Sequence, residues 1–326
     1  MAALSPSDRT VMVETDRPRG SSESIPQMGI AMSGPMFQGS ITALITPFRN
    51  GKVDESAFQH LVQWQIDQGS QGVVPCGTTG ESPTLSHEED MRVTAMCVEI
   101  AKGKVPVIAG TGSNSTEEAI MLTRHAKQAG ANGALIVTPY YNKPTQEGLY
   151  QHYKAIHDAV DIPIVIYNIP GRCAVDMTVE TMARLAQLPN IVGVKDATVD
   201  LQRPAKTRAA IGPEFAQLTG EDATVLPFLA QGGHGAISVT SNVAPRQCAD
   251  LHEAWRRGDL ATAQRINERL MPLHEALFVE TNPAPVKFAA SVLRLCENQV
   301  RLPLVSVGRQ TEGRVREAMS YAGLIN

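Results

Sequence analysis

Ile191-Val192-Gly193-Val194-Lys195-Asp196-Ala197 is an apolar run of strand-forming residues that ends on a lysine and breaks into a polar turn. A lysine there keeps its ammonium poorly solvated unless the strand end opens into a cavity. Desolvation disfavours the charged form, and the neutral amine is the form that attacks a carbonyl. The plainer alternative, and the commoner one for a lone lysine, is a strand-terminal side chain that reaches solvent or pairs with Asp196. What lies at the ends of the other strands decides between them.

On both sides of this stretch, short β-branched runs alternate with longer helical ones. Strands are predicted over residues 41–46, 72–76, 105–109, 134–138, 164–167, 215–219 and 236–240. Pro75 argues against regular pairing in the second of these. Asp54 is placed to cap a helix running to about Gln68, with Phe58, Leu61, Val62 and Ile66 on one face. Ser86 and Glu89 form a capping box, and Ser115 with Glu118 repeats it. Further helices are expected from about Gln146 to Asp158, after Thr178, and near Pro204. Helices fill most of residues 245–323, with breaks near Gly258, Pro283 and Arg301-Leu302-Pro303.

Eight strands, each followed by a helix, over about 220 residues have the size and order of an α/β fold of the (β/α)8 TIM-barrel type. An open doubly wound sheet shares the local pattern, and periodicity does not separate the two. The expected organisation is a disordered tail over 1–35, a barrel over 36–258, and a helical extension over 259–326 packed on the barrel. In a barrel all strand ends meet on one rim, so the residues that end the strands carry the functional reading.

Composition narrows the classes. The net charge of −4 gives no reason to expect nucleic acid or an acidic membrane as partner, and no apolar run has the length of a bilayer-spanning helix. Cys76, Cys97, Cys173, Cys248 and Cys296 are odd in number and scattered, with no Cys-x-x-Cys pair, which fits a reducing, cytoplasmic setting. The first 35 residues are rich in Ser, Pro, Gly and charge, without an apolar period or a signal-peptide core. Glu14, Asp16 and Glu23 argue against an organelle-targeting peptide. Met36, directly before Phe37 and the first strand, is the expected natural start.

The rim is chemically rich. Gly77-Thr78-Thr79-Gly80-Glu81-Ser82 brackets two hydroxyls with glycines, so that amides and hydroxyls aimed into the mouth would hold a small carboxylate. A turn whose threonines serve only the backbone is the common alternative. Pro139-Tyr140-Tyr141-Asn142 follows the fourth strand, and the fifth ends in Tyr167-Asn168-Ile169-Pro170-Gly171-Arg172. Each tyrosine alone is more often packing than chemistry. A tyrosine on the strand beside the lysine strand is nonetheless the better placed for proton transfer. Arg172, in a loop with Pro and Gly, suits bidentate capture of a second carboxylate, unless it is only a surface arginine. Gly110-Thr111-Gly112-Ser113 lacks the third glycine of a dinucleotide fingerprint. The eight histidines show no metal-ligand spacing, and His152 and His157 share a helical face poorly, which disfavours a metal-dependent aldol reaction. His125, His252 and His274 read as solvated or packed helix residues.

Taken together, these segments resemble the dihydrodipicolinate synthase family from Met36 to Leu324. The resemblance runs through the Gly77–Ser82 loop, Thr138-Pro139-Tyr140-Tyr141-Asn142, Tyr167-Asn168-Ile169-Pro170 with Arg172, and Gly193-Val194-Lys195. It continues in Gly232-Gly233-His234-Gly235-Ala236-Ile237-Ser238-Val239 and Leu270-Met271-Pro272-Leu273. Single motifs are shared with other pyruvate-dependent lyases, such as N-acetylneuraminate lyase; the threonine pair, double tyrosine and Arg172 together are more specific.

The resemblance implies a class I aldol condensation of pyruvate with aspartate-semialdehyde on the diaminopimelate route to lysine, with no metal or organic cofactor. Lys195 would form the Schiff base and Tyr167 would act as general acid/base, with Thr78 and Tyr141 as its relay to bulk water. Thr79 would bind pyruvate's carboxylate, Ile237 and Gly220 would complete the substrate contacts, and Arg172 would orient the semialdehyde's carboxylate. Tyr141 would reach into a neighbour's site, within a homotetramer built as a dimer of dimers. Ser82, His87, Asn114, Glu118 and Tyr140 match a lysine-inhibitor pocket, whereas Asp90 stands where lysine-sensitive members commonly carry histidine. Inhibition of altered strength is therefore expected. The competing enzyme reading is a sugar-acid or sialic-acid lyase, disfavoured by Arg172. A catalytically idle, ligand-binding barrel is disfavoured because lysine, tyrosine, threonine and arginine are all present.

Overall fold

The computed structural model describes residues 34–326; the expected tail over 1–35 lies, but for its last two residues, outside the described ones. Eight parallel strands alternate with helices. They are β1 (Gly39–Ala43), β4 (Gly72–Val74), β5 (Ile108–Gly110), β6 (Gly133–Val137), β7 (Ile164–Asn168), β8 (Ile191–Asp196), β9 (Ala216–Thr219) and β10 (Gly235–Ser238). The order β4-β1-β10-β9-β8-β7-β6-β5 closes through a single bridge, Val73 to Val107. Closure excludes the open doubly wound sheet. It also shows what Pro75 and Pro106 do: neither has an N–H, so at this seam Val73 N donates to Pro106 O and Gly110 N to Pro75 O, and regular pairing stops. Strands are accordingly shorter here than the apolar runs suggest. A small hairpin, β2 (Phe48–Arg49) with β3 (Lys52–Val53), follows β1 and was not expected from the pattern.

The helices of the repeat are α1 (Glu55–Asp67), α2 (His87–Ala101), α3 (Thr116–Ala129), α4 (Gln146–Ala159), the one-turn α5 (Pro170–Cys173), α6 (Val179–Leu185), α7 (Arg203–Ile211), α8 (Val225–Ala230) and α9 (Pro245–Arg256). Then come α10 (Leu260–Ala276), α11 (Ala284–Val292) and α12 (Arg309–Tyr321). Asp54 accepts from Ala57 N, and the Ser86–Glu89 box is complete. The second box is only half made. Ser115 accepts from Glu118 N, but the Glu118 carboxylate turns away to Ser113 and His87. None of the helices among the described residues is long and apolar enough to cross a membrane.

The core has an inner and an outer layer. Ile41, Val74, Ile108, Leu135, Val165, Tyr167, Leu218 and Ile237 fill the barrel, whereas Ile164, Ile166, Ile191 and Val194 face the helices. Leu270, Leu273, Val286, Phe288, Val315 and Met319, from the last three helices, share one cluster with Leu44, Phe58 and Met96 of the first two β/α units. The C-terminal helices thus pack beside the loop that carries Thr78 and Thr79.

Candidate active site

Side chains alternate along a strand, so residues of equal parity should share a face. Ile191 faces outward; by simple alternation Lys195 would too. It does not, because the ladder slips between Ile164↔Ile191 and Val165↔Gly193, giving β8 one extra residue. One extra residue reverses the phase of everything after it. Lys195 thereby pairs with Tyr167, whose side chain belongs to the inner layer, while Asp196 pairs with Asn168. Glycine at 193 is required by the close approach of the next strand: a Cβ would stand 2.5 Å from Ala216 O.

The result is a buried amine beside a buried phenol. Lys195 is 6 % and Tyr167 5 % exposed, and Lys195 Nζ lies 4.1 Å from the centroid of the Tyr167 ring. Gly220 flanks them; a Cβ there would meet Lys195 Cε at 3.0 Å, so a side chain would press on the amine's stem. Ile237 is fully buried on β10 within the same inner layer. Across the barrel, Thr79 is buried and its hydroxyl accepts from Asn282 Nδ2 at 3.0 Å. Arg172 sits on the short α5 rather than in an open loop, and its Nη2 donates to the Asn282 carbonyl at 3.3 Å. Both groups assigned to carboxylates are therefore tied to one residue that the sequence reading passed over. An asparagine before a proline just beyond a helix reads as a turn; nothing in its spacing marks it as part of the rim.

A cavity of about 500 Å³ opens on this rim, lined among others by Thr78, Ile169, Arg172 and Asn282 and continuing past Ser82, His87, Asp90, Glu118 and Tyr140. Lys195 and Tyr167 are not among its lining residues. The expected inhibitor pocket and the rim are thus connected in one chain. His87 Nε2 lies 2.7 Å from Glu118 Oε1, and hydrogen bonds from Ser113 and His87 hold the Glu118 carboxyl below its ordinary range. Asn114 is not among the lining residues, but its Nδ2 donates to the carbonyl of Tyr140, which is, at 3.2 Å. Asp90 is buried, and burial pushes its carboxyl up to about 6. Tyr141 stands apart: it is 89 % exposed with a left-handed backbone (φ 69°), so a single chain does not bring its phenol to Tyr167.

The threonine loop is secured from afar. Glu81, in the left-handed region at φ 57°, places Oε1 2.5 Å from Lys287 Nζ, both side chains being fully buried. Its Oε2 accepts from Arg301 N, and Arg301 grips Glu89 with two bonds of 2.6 Å. Lys287 donates to Gln299 O and lies over the Phe48 ring. Burial lowers the Lys287 ammonium from its ordinary value, and Glu81 opposes that shift. Glu81 was visible only as part of the Gly-Thr-Thr-Gly loop, and its partner is far away in the chain.

The model of the dihydrodipicolinate synthetase family matches residues 36–322. A 4-hydroxy-tetrahydrodipicolinate synthase of Rhodospirillum centenum is 68 % identical over 290 residues, covering 89 % of this chain and all of that protein. The crystal structure of the dihydrodipicolinate synthase of Aquifex aeolicus superposes with a TM-score of 0.87 at 47 % identity, over 88 % of this chain and 99 % of that one. The Acinetobacter baumannii dihydrodipicolinate synthase complexed with pyruvate gives 0.86 at 46 % identity, over 88 % and 99 %.

Proposed function

The chain belongs to the dihydrodipicolinate synthetase family, and from that premise we propose that it condenses pyruvate with L-aspartate-4-semialdehyde through a Schiff base on Lys195, giving 4-hydroxy-tetrahydrodipicolinate. The observation that carries the assignment of roles is the pairing of Lys195 with Tyr167, both buried, with Nζ 4.1 Å from the ring centroid. The amine adds to pyruvate's keto carbon and water leaves, forming an iminium. The iminium withdraws electrons, so a methyl proton departs and the enamine carbon attacks the aldehyde carbon. Proton transfer at each stage needs a group near the nitrogen, and Tyr167, whose ring lies beside it, suits that role. Lys195 is freed when water or a second amine takes over the iminium carbon.

Thr79 suits pyruvate's carboxylate. Its oxygen already accepts from Asn282, which leaves its own proton free to donate. Arg172 on the cavity wall suits the carboxylate of the semialdehyde, and a fork-shaped cation there suits a polyol poorly. Tyr141, exposed, fits the role of completing a neighbouring chain's relay with Thr78, so a homotetramer built from dimers is the proposed working form. Ser82, His87, Asn114, Glu118 and Tyr140 fit a regulatory site for lysine, with Asp90 adding a carboxyl beneath it.

A coupled assay with pyruvate and aspartate-semialdehyde, run beside N-acetylneuraminate cleavage, tests the substrate assignment. Turnover of the first pair alone is expected; cleavage of the sugar acid without condensation would overturn it.

A further inference from the structure

Behind Tyr167 and Lys195, on the outer face of the barrel, lies a closed polar ring. Asn168 and Asp196 follow the two rim residues in their strands and are register partners. Asn168 Nδ2 donates to Asp176 Oδ1 at 2.7 Å, and Asn168 Oδ1 accepts from Met177 N. Arg203, at the start of α7, donates through Nη1 to both Asp176 oxygens at 3.0 Å and through Nη2 to Met177 O. Its Nε stands 3.2 Å from Asp196 Oδ2, an ion pair not aligned as a hydrogen bond. Asp176 lies in the segment that begins with Arg172.

We propose that Arg203, Asp176, Asn168 and Asp196 are positioning residues that fix Tyr167, Lys195 and the Arg172 segment relative to one another. The inference rests on the assignment of Lys195 and Tyr167 as the reacting pair.

The energetics favour a geometric role over a stabilising one. Arg203 and Asp196 have side chains only 9 % and 7 % exposed, and at such sites desolvation offsets most of the attraction. Apolar residues on this outer face would hold the sheet as well. What they would not supply is a planar fork with fixed angles, able to tie the end of β8 to the 176–177 segment, which in turn holds Asn168. Backbone strain points the same way. Val199, a β-branched residue, is held at φ 63° in the turn after β8. That turn is pinned by Asp196 Oδ1, which accepts from Thr198 N and from the Thr198 hydroxyl. Strained residues persist where their surroundings over-determine them, and they cluster at functional sites.

The test uses the full-length protein with Asp176→Ala and Arg203→Lys, active sites being counted by borohydride trapping of pyruvate. Asp176 is 48 % exposed in its side chain, so its removal leaves the core intact; Arg203→Lys keeps a cation beside Asp196 but loses the fork. A small misplacement of a proton-transfer group costs rate more than binding, so kcat per trapped site should fall about tenfold in both variants. The KM for aspartate-semialdehyde should rise several-fold because Arg172 shares the loosened segment. The KM for pyruvate should stay within about twofold, since no ring residue hydrogen-bonds to the loop that carries Thr79, whose own partner is Asn282. If kcat per trapped site and both KM values stay at the wild-type level, with only Tm lowered, the ring is merely structural and the proposal fails. It also fails if both KM values rise together. Should the wild-type protein trap no pyruvate on Lys195, the assigned function falls instead, whatever the variants do.

Discussion

The two halves of the rim are built on opposite principles. On the β7–β8 side, Tyr167 and Lys195 are neighbours in a parallel ladder, and the groups that steady them lie between residues 168 and 203. On the β4 side, Thr78 and Thr79 sit on a loop next to a seam weakened by Pro75 and Pro106. That loop is secured by Asn282, Lys287 and Arg301 from the far end of the chain. The side proposed to place reacting atoms is fixed by short-range register. The side proposed to hold a carboxylate is tied to the C-terminal part of the chain through Asn282, Lys287 and Arg301.

The contrast can be broken most forcefully at Lys287. Lys287→Met strands Glu81 as a buried unpaired charge and should cost about 3–5 kcal/mol in denaturant unfolding, with Glu81→Gln in the same chain recovering much of it. A loss below about 1 kcal/mol would mean that the loop does not depend on the distant partner. Asp90, buried at the start of α2, gives the next largest effect. Its carboxyl is raised to about 6, so the folded protein binds that proton more tightly than the unfolded chain does. Stability from this group is therefore lost as pH rises from about 4 through 6, and the full penalty applies above that window. Asp90→Asn should gain about 2 kcal/mol at pH 8 and progressively less towards pH 4, read from unfolding curves across that range. A gain independent of pH would place its origin outside the titration. The smallest effect sharpens the other side: Val199→Asn, which keeps the left-handed turn and removes only the β-branched penalty, should stabilise by about 1 kcal/mol and leave kcat unchanged because the turn pinned by Asp196 is kept, as seen in paired melting and rate measurements.

How much of this the sequence discloses follows the same division. Alternating runs and capping residues mark the eight units, and the strand-end motifs mark Thr79, Tyr167, Arg172 and Lys195, because local signals encode local structure. The bulge that turns Lys195 inward is hidden, since Val192-Gly193-Val194 reads as ordinary strand and only the register against β7 exposes the extra residue. Pro75 announced irregular pairing but not that it sits at the closing seam. Asn282, the Glu81–Lys287 pair and the Arg203 ring have no signature in spacing. Their partners meet through tertiary packing, and a single buried asparagine or lysine looks like any other until the fold is closed. The missing back-bond at Ser115 has the same cause: Glu118 finds a better-placed partner in His87, on another helix.

The proposed function stands or falls on whether the amine of Lys195 becomes covalently joined to pyruvate. Reduction with borohydride in the presence of pyruvate, followed by peptide mass analysis, decides it. A stable adduct is expected on the Lys195 peptide, absent without pyruvate and absent in Lys195→Ala. A folded wild-type protein that forms no adduct, or carries it on another lysine, would rule out the Schiff base on Lys195.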